Sequence, residues 1–565
     1  MSESVAEAYL SLLADRGVDC LFGNAGTDFA PLIEAYASAT QRGAKVPRPI
    51  LAAHENLAVS MAHGYGVVSR KIPAVMVHVS VGTANMVCAA MNASRENVPI
   101  LLTAGRSPIT ETGLLGSRDG YIHWAQEMYD QAGLVREFVK WDYELRVPEQ
   151  VGTVIDRALS IAASEPQGPI YLSLPREVLA MPMPDQGWKT PNRLQPASPA
   201  APDAAAIEAA AEMLAKAKSP LIVAANAARN PGAFEALSDF AQRFALPVLQ
   251  HRPRYLCLPS SHPMNLGYNP GVGVPEADVI LVLESDVPWL PHQVKVAKDC
   301  KIIQCGFDPH FSHIPIRSFS CDLGVTGGST AVLKALSAAL DARMGQGDIA
   351  ARRSKVEEKR AGLAKGWTAA REAAARRSPI SPVWVSHCLD QAKDSETIVI
   401  NEYTLVMEQC GFEKPGLYFG SSSVSGLGWG AGAALGAKLA APGQPVVAVL
   451  GDGAYMFSNP VVVHHAAAMH KLPVLFVIMN NNMWNAVRRA TVGMYPGGEA
   501  TQSNNAPPFI HLDELPAFED ICTAAGGYGE RVENPDDLPA AFGRAMAAIR
   551  EGRQALLNVI CSAAD

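Results

Sequence analysis

Short apolar runs rich in β-branched residues recur along this chain, each followed by a stretch of helical periodicity. In the first third they are LFGNAG, PAVMVHVS, PILLTAG and PIYLSLP. In the middle they are SPLIVAANA, LPVLQH, VILVLE and KIIQCG, and in the last third TIVINE, PVVAVLGDG, PVLFVIMNN and ALLNVICS. Strands of this kind, separated by helices, belong in parallel sheets covered on both faces. Two connectors interrupt the pattern: the Pro/Ala-rich Trp188–Ala205, and the charged Arg352–Pro382, which reads as a solvated helix crossing between domains. At 565 residues the chain exceeds what one core can organise. The expectation is an α/β protein of three consecutive doubly wound parallel-sheet domains, with boundaries at 1–187, 188–345 and 346–565 including an N-terminal linker helix.

Composition removes several function classes. Lys and Arg number 47 and Asp and Glu 55, a net charge of −8, so no basic surface for nucleic acid is implied. Ten cysteines without a C-x-x-C pair read as scattered thiols in a reducing compartment. No apolar run reaches the ~18–20 residues that span a bilayer, and the acidic, amphipathic N-terminus does not read as a signal peptide. A cytoplasmic location is expected.

Open parallel sheets bind ligands at the carboxyl ends of their strands. Asp452 follows PVVAVL inside Gly-Asp-Gly, and Asn480–Asn482 follow PVLFVIM, with Ser458–His470 long enough to carry a helix between two parallel neighbours. A carboxylate, an amide oxygen and a backbone carbonyl would suit Mg²⁺, and flanking glycines let N–H groups approach a phosphate. Turn chemistry explains these residues equally well on local pattern alone. Glu55 opens a helix of apolar and small residues, either as a dipole-stabilised acid or as a buried proton partner for a ligand nitrogen. His78 ends a strand, where a structural and a catalytic histidine are equally expected.

Gly-Asp-Gly followed one βαβ unit later by Asn-Asn resembles the cofactor signature of thiamine diphosphate (ThDP) enzymes, and HEN before an alanine-rich helix with GYG resembles their glutamate segment. The resemblance runs from about residue 5 to 560. It implies that Asp452, Asn481 and the Met483 carbonyl hold Mg²⁺ on the diphosphate, beside the backbone of Gly451, Gly453 and Ala454, with Thr404 nearby. The separation, 481 − 452 = 29, is a couple of residues longer than usual, and NPVVVHHAA looks like the insertion. In GSSSVSGLGWG, Leu427 is implied to bend the cofactor and Ser425 to offer a carbonyl to its aminopyrimidine. Glu55 is implied to bond the pyrimidine N1′, so that the cofactor becomes its own nucleophile as an ylid.

Within the superfamily, PAVMVHVSVGTANM and LFGNAGTDFAPLI resemble the benzoylformate decarboxylases, with Ala25 at a proline position and Thr27 at an active-site serine. The resemblance implies catalytic roles for His78, for Thr27 as a hydrogen-bond donor, and for His292 in PWLPHQ. It also implies a pocket lined by Asn24, Trp484, Ala486 and Ala490. SRDGYIHWAQEM is more similar to the acetolactate synthase side, whose glutamine at the Gln126 position faces the site. His123, His464 and His465 read as packing or surface residues. The implied reaction is non-oxidative decarboxylation of a 2-oxo acid through an enamine, with an aromatic or branched substrate suggested by the apolar pocket. A homotetramer, a dimer of dimers with active sites at the subunit interface, is implied too. The alternatives are a carboligase or C–C lyase that forms or cleaves 2-hydroxy ketones, and, remotely, a non-catalytic ThDP-binding protein. The middle domain lacks G-x-G-x-x-G, which leaves nucleotide binding there undecided.

Overall fold

The structure is a computed structural model that describes residues 3–184, 192–503 and 507–563. The first connector, Trp188–Ala205, therefore begins outside the described residues. Among the described residues, seventeen strands form three sheets. The first contains β1 (Cys20–Gly23), β2 (Arg48–Leu51), β3 (Ala74–Val77), β4 (Leu101–Arg106), β5 (Asp142–Glu144) and β6 (Ile170–Pro175), in the order β2-β1-β3-β4-β6-β5. The second contains β7 (Pro220–Ala224), β8 (Val248–Leu249), β9 (Val279–Leu283), β10 (Lys301–Gly306) and β11 (Leu323–Thr326), in the order β11-β10-β9-β7-β8. The third contains β12 (Ile398–Glu402), β13 (Tyr418–Gly420), β14 (Val446–Gly451), β15 (Leu475–Asn480), β16 (Tyr528–Val532) and β17 (Ala555–Ile560), in the order β13-β12-β14-β15-β17-β16. The expected class of three parallel-sheet α/β domains is what the chain adopts.

The apolar runs named from sequence supply inner strands, because only strands covered on both faces need to be apolar on both; the exception is LPVLQH, which forms the edge strand β8. β3, β4, β6, β9 and β15 are buried at nearly every residue. The second connector holds a helix, Gln346–Ala374, of 29 residues, starting earlier than the charged run and ending before Pro382. It is largely exposed, and its cations engage the middle domain: Arg352 donates to the Ala217 carbonyl at 2.9 Å, Arg360 to the Ser260 carbonyl at 2.8 Å, and Lys359 pairs with Glu276 at 2.8 Å.

The chain divides into two compact units. One comprises residues 1–198, 421–530 and 547–558, and the other 199–420, 531–546 and 559–565. In the first unit, helix Glu55–Ser69 crosses helix Trp429–Ala440 at backbone contact. A Cβ on Gly64 would lie 1.9 Å from the Ala433 carbonyl oxygen, and one on Gly436 1.9 Å from that of Met61. Only hydrogen fits at those positions, so the alanine- and glycine-rich composition of both helices follows from their separation.

Candidate active site

The first sheet reverses its winding between β1 and β3, and a crevice forms outside the carboxyl ends of strands at such a point. β1 runs into Asn24–Asp28 and β3 into His78, with Gly23 paired to Met76. Asp28, on a short 3₁₀ turn, is 2% exposed, and its Oδ1 lies 2.6 Å from His78 Nδ1. Oδ2 accepts the Val79 N–H at 3.4 Å. A Cβ on Gly26 would lie 2.1 Å from His78 Nδ1, and one on Gly105 1.8 Å from Asp28 Oδ2, so glycine backbone walls in the pair. The hydrogen bond to Asp28 raises the His78 pKa against the effect of burial, and the charges of Asp28 and Glu55 add to the rise. On the other side of the ring, Gln126 Nε2 stands 3.3 Å from His78 Nε2, and Gln126 Oε1 is buried without a partner. Thr27 itself is exposed, as is Ala25.

Glu55 opens its helix after His54, whose Nδ1 accepts the Asn56 N–H at 3.1 Å. Its carboxylate, 6% exposed, receives Asn24 Nδ2 on Oε1 at 2.9 Å and Asn85 Nδ2 on Oε2 at 3.0 Å. Asn85 escaped the sequence reading. Its signal was present: Asn85 and Asn92 are seven residues apart on a helix of mostly apolar and small residues, Val79–Arg95, and so share a face. Asn92 brackets the backbone of Gly426, donating to its carbonyl at 2.8 Å and accepting its N–H at 3.2 Å. That pins the loop carrying Leu427, which is half-buried, and Ser425, which is exposed at φ 60°.

At the other strand pair β14 and β15 run parallel, with Gly451 opposite Met479. Asp452 is 3% exposed; its Oδ1 accepts the Gly453 N–H at 2.8 Å and its Oδ2 the Asn481 N–H at 3.2 Å. Burial pushes its carboxyl above the ordinary range, and the backbone N–H groups of Gly453, Asn482, Met483 and Asn481 oppose this. Asn481 Oδ1 accepts the Met483 N–H at 3.1 Å, and Asn480 lies deeper, donating to Asn558 at 3.1 Å. Among the described residues no cationic side chain pairs with Asp452. A buried carboxylate supported only by amides, next to an amide oxygen, is a hard-oxygen set that fits a divalent cation. Between Asp452 and Asn481 the chain passes through a break. Helix Asp452–Phe457 ends, Asn459 turns through φ 58°, and helix Pro460–Met469 begins anew.

The remaining candidates are more dispersed. Ala454 is buried beside Asp452, and the Trp484 indole packs onto Gly453, where a Cβ would lie 2.3 Å from the ring. Ala486 and Ala490 are exposed on helix Asn485–Met494. In the second unit Thr404 follows β12, its Oγ1 buried without a partner, which leaves a hydroxyl suited to a ligand. His292 is exposed beyond β9. His123 accepts two backbone N–H groups on Nδ1, and His464 is enclosed between Tyr455 and Gln554. His465 is on the surface.

Comparison with known proteins identifies the family. Models of thiamine pyrophosphate enzymes match in order: the N-terminal TPP binding domain over residues 3–134, the central domain over 207–336, and the C-terminal TPP binding domain over 400–559. A sulfoacetaldehyde acetyltransferase from Alcaligenes xylosoxydans xylosoxydans is 27% identical, the match covering 99% of this chain and 93% of the relative. A benzoylformate decarboxylase from Pseudomonas aeruginosa is 25% identical over 97% of each chain. In fold, the crystal structure of benzoylformate decarboxylase from Polynucleobacter necessarius is similar at a TM-score of 0.79 and 20% identity, covering 100% of this chain and 99% of that one. Three matching domain models in the expected order, on three sheets of the expected kind, make the chain a member of the thiamine diphosphate-dependent enzyme superfamily.

Proposed function

We propose that the protein is a ThDP- and Mg²⁺-dependent decarboxylase of a 2-oxo acid. The observation that carries this reading is His78, backed by the buried Asp28 carboxylate and electrostatically coupled to Glu55 at the same sheet edge. A reaction that replaces a departing carboxylate by hydrogen needs a proton donor close to the acid that activates the cofactor.

In this reading Asp452, Asn481 and the Met483 carbonyl hold the metal. The backbone of Gly451, Gly453 and Ala454, with Thr404, would line the diphosphate. Bound ThDP supplies the carbanionic carbon that adds to the keto group and the electron sink that receives the pair released with CO₂. Glu55, oriented by Asn24 and Asn85, holds a proton shared with the cofactor's ring nitrogen. Leu427 would pack against the bound cofactor, and Ser425 would offer it its carbonyl. Thr27 would hydrogen-bond the substrate carboxylate or the developing alkoxide, and His78 and His292 would move protons. Asn24, Gln126, Trp484 and Ala486 border the substrate. The proposed domains are 1–187, 188–345 and 346–565. The proposed assembly is a dimer of dimers, which the exposed side chains of Leu115, Tyr121 and Tyr129 favour as surface to be covered.

A second reading, joining the two-electron fragment to an acceptor carbonyl, draws on the position of Gln126 beside His78 and on relatives such as acetolactate synthase isozyme 3 of Escherichia coli, 24% identical over 98% of this chain. One experiment separates the two: the protein loaded with ThDP and Mg²⁺ is given 2-oxo acids alone and with acceptor aldehydes, and products are identified by mass. Free aldehyde and CO₂ as main products support decarboxylation; 2-hydroxy ketone with little aldehyde replaces it by ligation.

A further inference from the structure

Asp28 has no counterpart among the residues singled out from sequence, yet it is the most enclosed charged group at the switch point. Oδ1 engages His78 Nδ1 at 2.6 Å and Oδ2 the Val79 N–H at 3.4 Å. Gly105 leaves room for the Asp28 carboxylate and Gly26 for the His78 ring, and neither position has space for a Cβ. Val79 holds φ 32°, a conformation that β-branched residues avoid, directly after His78. Backbone strain of this kind persists where surrounding structure over-determines it, and it clusters at functional sites.

An acceptor fixed on Nδ1 selects one tautomer: the proton stays on Nδ1 and Nε2 is directed away from Asp28. There Gln126 presents its amide nitrogen at 3.3 Å, with its oxygen buried and unpartnered, while Ser80 Oγ anchors the Gln126 carbonyl at 2.8 Å. A primary amide serves both states of the ring. Its NH₂ donates to a bare Nε2, and after rotation its oxygen accepts from Nε2–H. The charged or titratable groups acting on His78 are Asp28 from the 3₁₀ turn and Glu55 from its helix, with His123 coupled to it from the turn Ile122–Ala125.

We propose that Asp28 is the positioning residue for His78, holding the imidazole as a proton-loaded acid whose Nε2–H is accepted by Gln126 until it is delivered. The proposal rests on the decarboxylase reading. The C–C bond to the carboxylate breaks with CO₂ leaving, and the electron pair remains on the former keto carbon. That carbon takes the Nε2 proton, and His78 becomes neutral with Nδ1–H still on Asp28. Water reloads Nε2.

The test needs no substrate. Deuterium exchange at the His78 ring C2, followed by mass spectrometry on the full chain with ThDP and Mg²⁺ across pH, reports the protonation midpoint. The expected midpoint lies above the ordinary 6.5 in the wild type and falls by about 1 pH unit or more in Asp28→Asn. Coincident midpoints in two equally folded proteins would overturn the proposal. If Asp28→Asn does not fold, a wild-type midpoint at or below 6.5 overturns it and one above supports it. A lowered midpoint in a protein that decarboxylates no 2-oxo acid would retain the positioning role and discard the reaction. With an active substrate, the alkaline limb of kcat/KM moves to lower pH in Asp28→Asn along with the exchange midpoint.

Discussion

Asp452 Oδ2 accepts the N–H of Asn481 at 3.2 Å, so one buried carboxylate holds the ends of β14 and β15 together. With no cationic side chain paired to it among the described residues, this charge costs stability. Asp452→Asn is therefore expected to leave the melting temperature of the cofactor-free protein unchanged or raised. With ThDP and Mg²⁺ present the order reverses, because the wild type gains binding energy that the variant lacks. Cofactor affinity, measured by titration calorimetry, should drop by more than about 100-fold. Equal ThDP/Mg²⁺-induced shifts in melting temperature would remove Asp452 from the metal site.

Glu55→Gln keeps the shape but offers one acceptor where Asn24 and Asn85 supply two donors. Turnover should fall by about 10²–10⁴-fold, with the product pattern unchanged. Asn85→Leu leaves one oxygen of a buried carboxylate without its donor, and a destabilisation of about 1–3 kcal/mol is expected in denaturant titrations. Wild-type rates in Glu55→Gln would exclude the proposed proton sharing.

Burial lowers the pKa of His63 to about 3, and of His251 and His464 to about 4. The unfolded chain takes up protons at these residues from about pH 6.5 downwards, and the folded chain does not. Stability from these groups is thus present above 6.5 and is lost on acidification, at about 1.4 kcal/mol per pH unit for each histidine between 6.5 and its folded value. Urea midpoints measured from pH 7.5 to 5 should decline, and less steeply in a folded His464→Gln variant. His78 runs the other way. Its raised pKa gives stability that is full below 6.5 and fades as pH rises through the folded value.

Helix propensity favours Gly64→Ala by about 1 kcal/mol. The crossing disagrees, since the added Cβ would meet a backbone oxygen at 1.9 Å with no flexible side chain to yield. A net loss of about 1–3 kcal/mol is expected from thermal melts. A more stable Gly64→Ala protein would show that the two helices separate easily.

Inner strands were readable because each is apolar on both faces, as in VILVL and LFVIMN. The strands that escaped, DYE, LGVT, YFG and YGERV, lie at sheet edges, where one side needs no cover and the apolar signal thins out. Asp452, Glu55 and His78 announced themselves by following such inner or well-marked runs. Asp28 did not: it sits in a 3₁₀ turn with no periodicity, and it is close to His78 only because β1 and β3 are neighbours across the fold. The spacing from Asp452 to Asn481 was visible, while the left-handed Asn459 between the two helices it contains depends on backbone conformation.

Helix Val79–Arg95 works as an alignment gauge. His78 stands at its origin, Asn85 reaches Glu55, and Asn92, about 10.5 Å further along the same face, grips the Leu427 loop at Gly426. A one-residue slip would rotate all three marks by about 100° together, so no local repair could restore one without misplacing the others. Efforts to change what the enzyme accepts should treat this helix as the fixed frame and vary the loops it measures.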